Sequence, residues 1–111
     1  MNAQTTTFLE IGKIDDIPVR GSRRVELNGE RIAIFRSAVD EVFALKDECP
    51  HKKGPLSEGM VHDGCVTCPL HNWVISLETG EAQGADEGRV LRYPVKVQGG
   101  IVLLGVTPEG A

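Results

Sequence analysis

Arg24-Val25-Glu26-Leu27-Asn28-Gly29-Glu30-Arg31-Ile32-Ala33-Ile34-Phe35 is the stretch whose reading decides the fold. Polar and apolar residues alternate through Leu27, and an apolar run closes the stretch at Phe35. Between the two runs stands Asn-Gly, whose residues both tolerate positive φ, and that dipeptide between β-like runs is a strong short-range hairpin signal. Working outward, Phe8-Leu9-Glu10-Ile11 is a short apolar run, Ile14 to Pro18 is a turn using its Asp and Pro residues, and Val42 to Leu45 is a further strand after the turn Val39-Asp40-Glu41. Downstream, Met60-Val61, the turn His62-Asp63-Gly64 and Cys65-Val66-Thr67 form a small hairpin. Trp73 to Leu77 is a strand ended by Thr79-Gly80, Arg89 to Val97 alternates around Tyr93-Pro94, and Ile101 to Leu104 is the last strand after Gln98-Gly99-Gly100. No window of helical length repeats its apolar positions at three- and four-residue intervals. About eight to ten short strands with frequent turns suit an all-β, antiparallel sandwich or barrel.

The chain has 111 residues, enough for a single domain over 1–111 with an ordered core over about 8–106. At 41% hydrophobic and 25% charged, the composition is globular. Apolar runs such as Ile32–Phe35 and Ile101–Leu104 fall far short of the ~20 residues a membrane helix needs. Met1 to Thr7 holds no basic residue and no apolar run, so no secretory signal is readable and a cytoplasmic location with no membrane partner is expected. A net charge of −4 argues against a nucleic-acid partner. Neither a nucleophile–base pair nor a phosphate-binding glycine loop is visible, so no catalysis by the isolated chain is expected.

The chemistry is concentrated elsewhere. All three Cys and all three His lie between Cys49 and His71. Asp47 to Gly59 and Cys68 to Asn72 have no periodicity and read as loops. The first carries Cys49-x-His51 and the second, sixteen residues on, carries Cys68-x-x-His71. Two loops can thus close on one object, each giving a thiolate and an imidazole. Structural zinc sites usually present ligands two to four residues apart, whereas an extended Cys-x-His reaches two atoms a few ångström apart. A binuclear cluster with two sulfur-held and two histidine-held positions fits, which is the arrangement of a Rieske [2Fe–2S] centre. Zinc held by Cys49, Cys65, Cys68 and one His remains open on ligand chemistry.

Cys49-Pro-His51 followed by Cys68-Pro-Leu-His71 resembles the Rieske two-box motif. The resemblance implies a Rieske-type fold with a small cluster-binding subdomain of two loops, about 47–73. It also implies that Cys49 and Cys68 hold the inner iron and His51 and His71 the outer one. Cys49 to Gly59, Val66 to Trp73, Thr79-Gly80 and Tyr93 to Val97 are similar to the small subunit of NAD(P)H-dependent assimilatory nitrite reductase. That resemblance implies electron transfer during reduction of nitrite to ammonia, with a large sirohaem and flavin subunit, or another redox protein, as partner. The alternative is a stand-alone Rieske ferredoxin of an aromatic-ring dioxygenase system, similar in layout. A redox-sensing or structural domain is a third reading.

Other residues carry lesser expectations. Cys65-x-x-Cys68 matches a redox CxxC only superficially, because no helix begins there, and Cys65 is expected as a small buried strand residue. His62, in a turn, is expected to be solvated. Leu56 and Leu70 are candidates to shield the cluster, and Trp73 is a core candidate. Lys52 and Lys53 are candidates for a docking rim, or for plain solvated surface. High-potential respiratory Rieske proteins have a further Cys in each loop and a Ser after the last ligand. Here Lys52 and Asn72 stand instead, so a midpoint potential toward the low end of the Rieske range is expected.

Overall fold

The computed structural model describes residues 7–27, 29–49, 55–69, 73–83 and 88–107. Ten strands are defined among them: β1 (Phe8–Lys13), β2 (Ser22–Leu27), β3 (Glu30–Arg36), β4 (Val42–Lys46), β5 (Met60–His62), β6 (Cys65–Thr67), β7 (Val74–Ser76), β8 (Arg92–Tyr93), β9 (Val95–Gln98) and β10 (Ile101–Gly105). They form three antiparallel sheets, ordered β1-β10-β9, β2-β3-β4-β8 and β5-β6-β7. The only helical segments among the described residues are two single 3-10 turns, Ile14–Asp16 and Leu56–Glu58. The all-β antiparallel expectation holds.

The quoted stretch is the β2–β3 hairpin, with Leu27 opposite Glu30 and Gly29 at φ 83°. Asn28 lies outside the described residues. β3 also explains why its apolar run is unbroken. Ile32, Ala33, Ile34 and Phe35 are all fully buried. Side chains alternate across a strand, so Ala33 and Phe35 face one core while Ile32 and Ile34 face another. A strand covered on both faces reads as continuous apolar sequence rather than alternation. The first core holds Leu45, Leu56, Val61, Val66, Ile75 and Leu77. It joins the second sheet to the third. The other core, with Ile17, Ala44, Tyr93, Val102 and Leu104, joins the second sheet to the first. The β2-β3-β4-β8 sheet is therefore the middle layer of three.

Tyr93-Pro94-Val95 divides what the sequence offers as one alternating run. Proline has no N–H to give a ladder, and the run splits into the two-residue β8 in the middle sheet and β9 in the first. β4 and β8 are neighbours, with Ala44 opposite Tyr93 and Leu45 opposite Arg92. The Lys46 N–H donates to the Leu91 carbonyl at 2.9 Å just beyond that pairing. Everything from Asp47 to Leu91 thus leaves and re-enters the middle sheet between two adjacent strands. The β5-β6-β7 sheet and every Cys and His of the chain lie in this excursion.

Candidate metal centre

Cys49 follows the end of β4 by three residues, and Cys68 follows the end of β6 directly. Both have zero exposure, and both belong to the first core, with Leu56, Val61, Val66 and Ile75. Trp73 and Phe43 are partly buried against the same core. His51 and His71 lie outside the described residues, as do Pro50, Lys52, Lys53, Gly54, Leu70 and Asn72. The expectations placed on them are neither met nor unmet by the fold.

Each loop is tied across its base. Chain departing toward Cys49 passes Asp47, and chain returning from the loop enters the Leu56–Glu58 turn. There Asp47 Oδ1 accepts the Ser57 N–H at 2.7 Å and Oδ2 accepts the Ser57 hydroxyl at 2.8 Å. At the second loop the Cys68 N–H donates to the Trp73 carbonyl at 2.6 Å, so the chain leaves and returns at one point. Leu56 plugs the core between the thiols' elements with no exposure.

The two buried thiols fit a sulfur-held metal cluster. An apolar, water-poor shell is what controls dielectric and solvent access at such a centre. A thiolate buried there without a cation would be costly, whereas a metal-bound sulfur is not. Cys65 does not fit. It opens β6, and alternation turns Cys65 and Thr67 to one face while Val66 packs into the first core. Cys65 is half-buried and outside that core, not fully buried as expected, and lies opposite His62 on β5 and Ser76 on β7. Burial, and secondarily the charge of Asp63, pushes its thiol pKa up. That is the reverse of a reactive CxxC thiol, and a strand occupies the place where such a motif needs a helix start.

His62 belongs to β5 rather than to the turn, which is the two-residue Asp63-Gly64 with φ 49° and 73°. Its ring is half-exposed, with Nε2 2.5 Å from the Thr67 hydroxyl and Nδ1 3.4 Å from Asp63. It also borders a surface cleft of about 440 Å³ lined by Arg20, Ser37, Val39, Glu41 and Asp63. Neither Cys49 nor Cys68 lines this cleft, so it is not the metal centre. The sequence reading missed the Asp47–Ser57 tie. An acid two residues before the Cys-x-His box was the available signal, but in the sequence Asp47 is one more charge in a polar segment. No helix among the described residues is long and apolar enough to cross a membrane.

Comparison with known proteins bears on the family and on the partner. The family model described as Rieske-like [2Fe-2S] domain matches residues 7–105. The anthranilate 1,2-dioxygenase ferredoxin subunit of Burkholderia cepacia is 45% identical over 76 residues, covering 68% of this chain and 69% of that one. The 3-phenylpropionate/cinnamic acid dioxygenase ferredoxin subunit of Photorhabdus laumondii is 36% identical over 98 residues, covering 86% and 91%. Among solved structures, the ferredoxin of carbazole 1,9a-dioxygenase from Nocardioides aromaticivorans IC177 superposes with a TM-score of 0.83 at 23% identity, covering 92% of this chain and 100% of that one.

These relatives overturn the expectation of a nitrite reductase small subunit with a sirohaem and flavin partner. Four curated relatives matched over 69% to 96% of their own length are ferredoxin components of oxygenase systems. A chain assigned as a nitrite reductase small subunit shares the fold at 29% identity and a TM-score of 0.80, over 88% of this chain and 97% of that one. The resemblance to the nitrite reductase subunit, as against the dioxygenase ferredoxins, rests on Gly54 to Gly59 and Asn72-Trp73, of which Gly54 and Asn72 lie outside the described residues. Leu56 fills the core, Ser57 closes the loop base, and Gly59 sits against the Thr67 backbone. In this chain these residues serve packing and loop closure, which does not by itself identify a partner. The match over residues 7–105, with Cys49 and Cys68 both buried in one core, shows that this chain belongs to the Rieske-like [2Fe-2S] domain family and that its cofactor is a Rieske-type [2Fe–2S] cluster.

Proposed function

We propose that the chain is a Rieske ferredoxin that delivers electrons to the terminal oxygenase of an aromatic-ring dioxygenase system. The observation that carries this is the 45% identity to a dioxygenase ferredoxin subunit, matched over 69% of that protein's length. The domain is then a non-catalytic component, and the ring-oxidising chemistry belongs to its partner. Cys49 and Cys68 hold one iron, and His51 and His71 hold the other, in a cluster-binding subdomain over about 47–73. The bound cluster supplies one-electron uptake and release.

The chain's own residues do the rest. Leu56, Val66, Ile75 and Phe35 keep water from the cysteine side, where both thiols are fully buried. Electrons then exchange on the side away from this core. The buried Asp47–Ser57 tie and the Cys68–Trp73 hydrogen bond hold the two loop bases.

The test is twofold. Dithionite-reduced protein with two irons per chain should give a rhombic EPR signal of the mixed His/Cys type, and Cys49→Ser and His71→Ala should each abolish it. Reduced protein mixed with a purified ring-hydroxylating oxygenase, its aromatic substrate and O₂ should be reoxidised as product forms. Normal EPR with no reoxidation by any ring-hydroxylating oxygenase would refute the partner while leaving the cluster.

A further inference from the structure

Asp47 is a buried acid that electron transfer does not itself require. Its side chain is 1% exposed, while its ion-pair partner Arg24, with Nε 2.9 Å from Oδ2, is 42% exposed. Ser57, ten positions further on, gives Asp47 both its backbone N–H and its hydroxyl. The surrounding groups lock this arrangement to the middle sheet. Asp47 N–H donates to the Arg31 carbonyl at 2.9 Å, and the Ser22 hydroxyl donates to the Ser57 carbonyl at 2.5 Å. Arg24 Nη2 reaches the Ser57 hydroxyl at 3.2 Å and Glu58 at 3.5 Å.

Burying a carboxylate is costly before its partners offset it, and a well-packed apolar residue often stabilises a fold as well or better. Stability alone therefore does not account for Asp47. Its location does. It stands two residues before Cys49 and bonds to the residue just after Leu56, so it spans the whole base of the first loop. Directional bonds to two donors of one residue fix both the separation and the orientation of the two ends, which apolar packing does not.

The geometry points to Asp47 and Ser57 as positioning residues for the cluster. They set the base of the 48–56 loop so that Cys49 and His51 meet the metal pair in one geometry. This rests on the ligand assignment proposed above. The tie acts through the loop, as outer partners do when they orient metal ligands.

The experiment compares Asp47→Ala, Asp47→Asn and Ser57→Ala with the wild-type holoprotein. Three readouts are taken: the g values and line widths of the reduced cluster, the half-life of iron loss to a chelator, and the thermal midpoint. Ser57→Ala removes one hydroxyl and keeps the N–H bond, so it remains informative if Asp47→Ala does not fold. The expected result is broadened or shifted g values in Asp47→Ala and chelator loss faster on the order of tenfold, the low end of what outer partners cost. Ser57→Ala should fall between that and wild type. Asp47→Asn keeps an acceptor for the Ser57 N–H and should restore part of the wild-type line shape. Variants with a lowered thermal midpoint but wild-type g values and chelator half-life would overturn the inference and leave Asp47 a purely structural residue. A wild-type protein without a mixed-ligand signal would instead refute the ligand assignment itself.

Discussion

Gly59 lies so close to Thr67 that a methyl group on its Cα would sit 2.3 Å from the Thr67 carbonyl oxygen and 2.9 Å from Val66 Cγ2. Its φ of −82° is open to any residue, so the requirement is space and not backbone freedom. The obstructing atom is strand backbone, which has no flexible end to move aside. Gly59→Ala should therefore behave as an overpacking substitution and cost about 1–3 kcal/mol. Urea unfolding of the oxidised holoprotein checks this. A Gly59→Ala midpoint equal to wild type would mean that β5 can move away from β6 at no cost.

Removing the Leu56 side chain addresses the same region from the core side. Leu56 is fully buried in the cluster of side chains that holds both Cys49 and Cys68. Leu56→Ala should lower unfolding free energy by about 2–5 kcal/mol through lost burial and a residual cavity. It should also admit water toward the thiols and hasten bleaching of the cluster in air. Leu9→Ala, at a 42%-exposed position, serves as the control and should change neither quantity appreciably.

Three titrating groups make the protein weaker in alkali. Burial, then the charge of Glu30, raises the Tyr93 phenol above its usual range, against a smaller opposing effect of Lys46. A hydrogen bond to Glu30, then the charge of Glu48, raises the Lys46 ammonium. Burial raises the Cys65 thiol. In each case the folded protein keeps its proton to higher pH than the unfolded chain does. The unfolded state then binds fewer protons, and stability falls as pH rises through the window between the two pKa values. For these groups that decline begins near about pH 9, where thiols start to ionise, and continues past about pH 10 for the phenol and ammonium. Urea midpoints measured across this range should fall, and Tyr93→Phe should flatten the upper part of the decline. A steeper decline in Tyr93→Phe would show the sign to be wrong.

The midpoint potential is expected toward the low end of the roughly −150 to +300 mV range of Rieske centres. Fewer hydroxyl donors near the sulfurs leave the more negative, reduced cluster less stabilised. Asn72 stands where high-potential proteins have Ser. Asn72→Ser should raise the midpoint in a spectroelectrochemical titration. Reduction of the wild-type cluster should also couple to proton uptake at alkaline pH, because the imidazoles of His51 and His71 gain proton affinity as the cluster gains negative charge. A strongly positive wild-type midpoint, or one flat from neutral to alkaline pH, would contradict these two expectations respectively.

The hairpins were legible because their determinants are local. Asn28-Gly29 announces a two-residue turn, and Leu27 opposite Glu30 is the pairing it imposes; the second hairpin reads one residue too wide in the sequence, with His62 in the turn and not opposite Cys65. The layering was not legible. Strand alternation puts Phe35 and Ile34 on opposite faces, but nothing near Ile32–Phe35 says which distant sheets cover those faces. Of the centre, the two-box spacing singled out Cys49, His51, Cys68 and His71 together, and the fold buries the two cysteines in one core. His51 and His71 rest on the motif alone. Cys65 was harder to place because a neighbouring CxxC spacing mimics a shared site, and only strand parity separates it from Cys68. The partner was least legible of all, since Leu56-Ser57-Glu58-Gly59 serves the fold and carries no trace of what docks against it.

The excursion from Asp47 to Leu91 has a consequence for how this chemistry can travel between proteins. Its two ends are hydrogen-bonded neighbours at Lys46 and Leu91, so the host sheet's ladder continues across them whatever hangs between. A redox module whose ends meet in this way is a cassette. It can be grafted between adjacent antiparallel strands of an unrelated scaffold without asking that scaffold to change its strand order. The demand falls instead on a covering face that offers what Ala33, Phe35 and Leu45 offer here, and on polar partners such as Ser22 and Arg24 of the neighbouring strand.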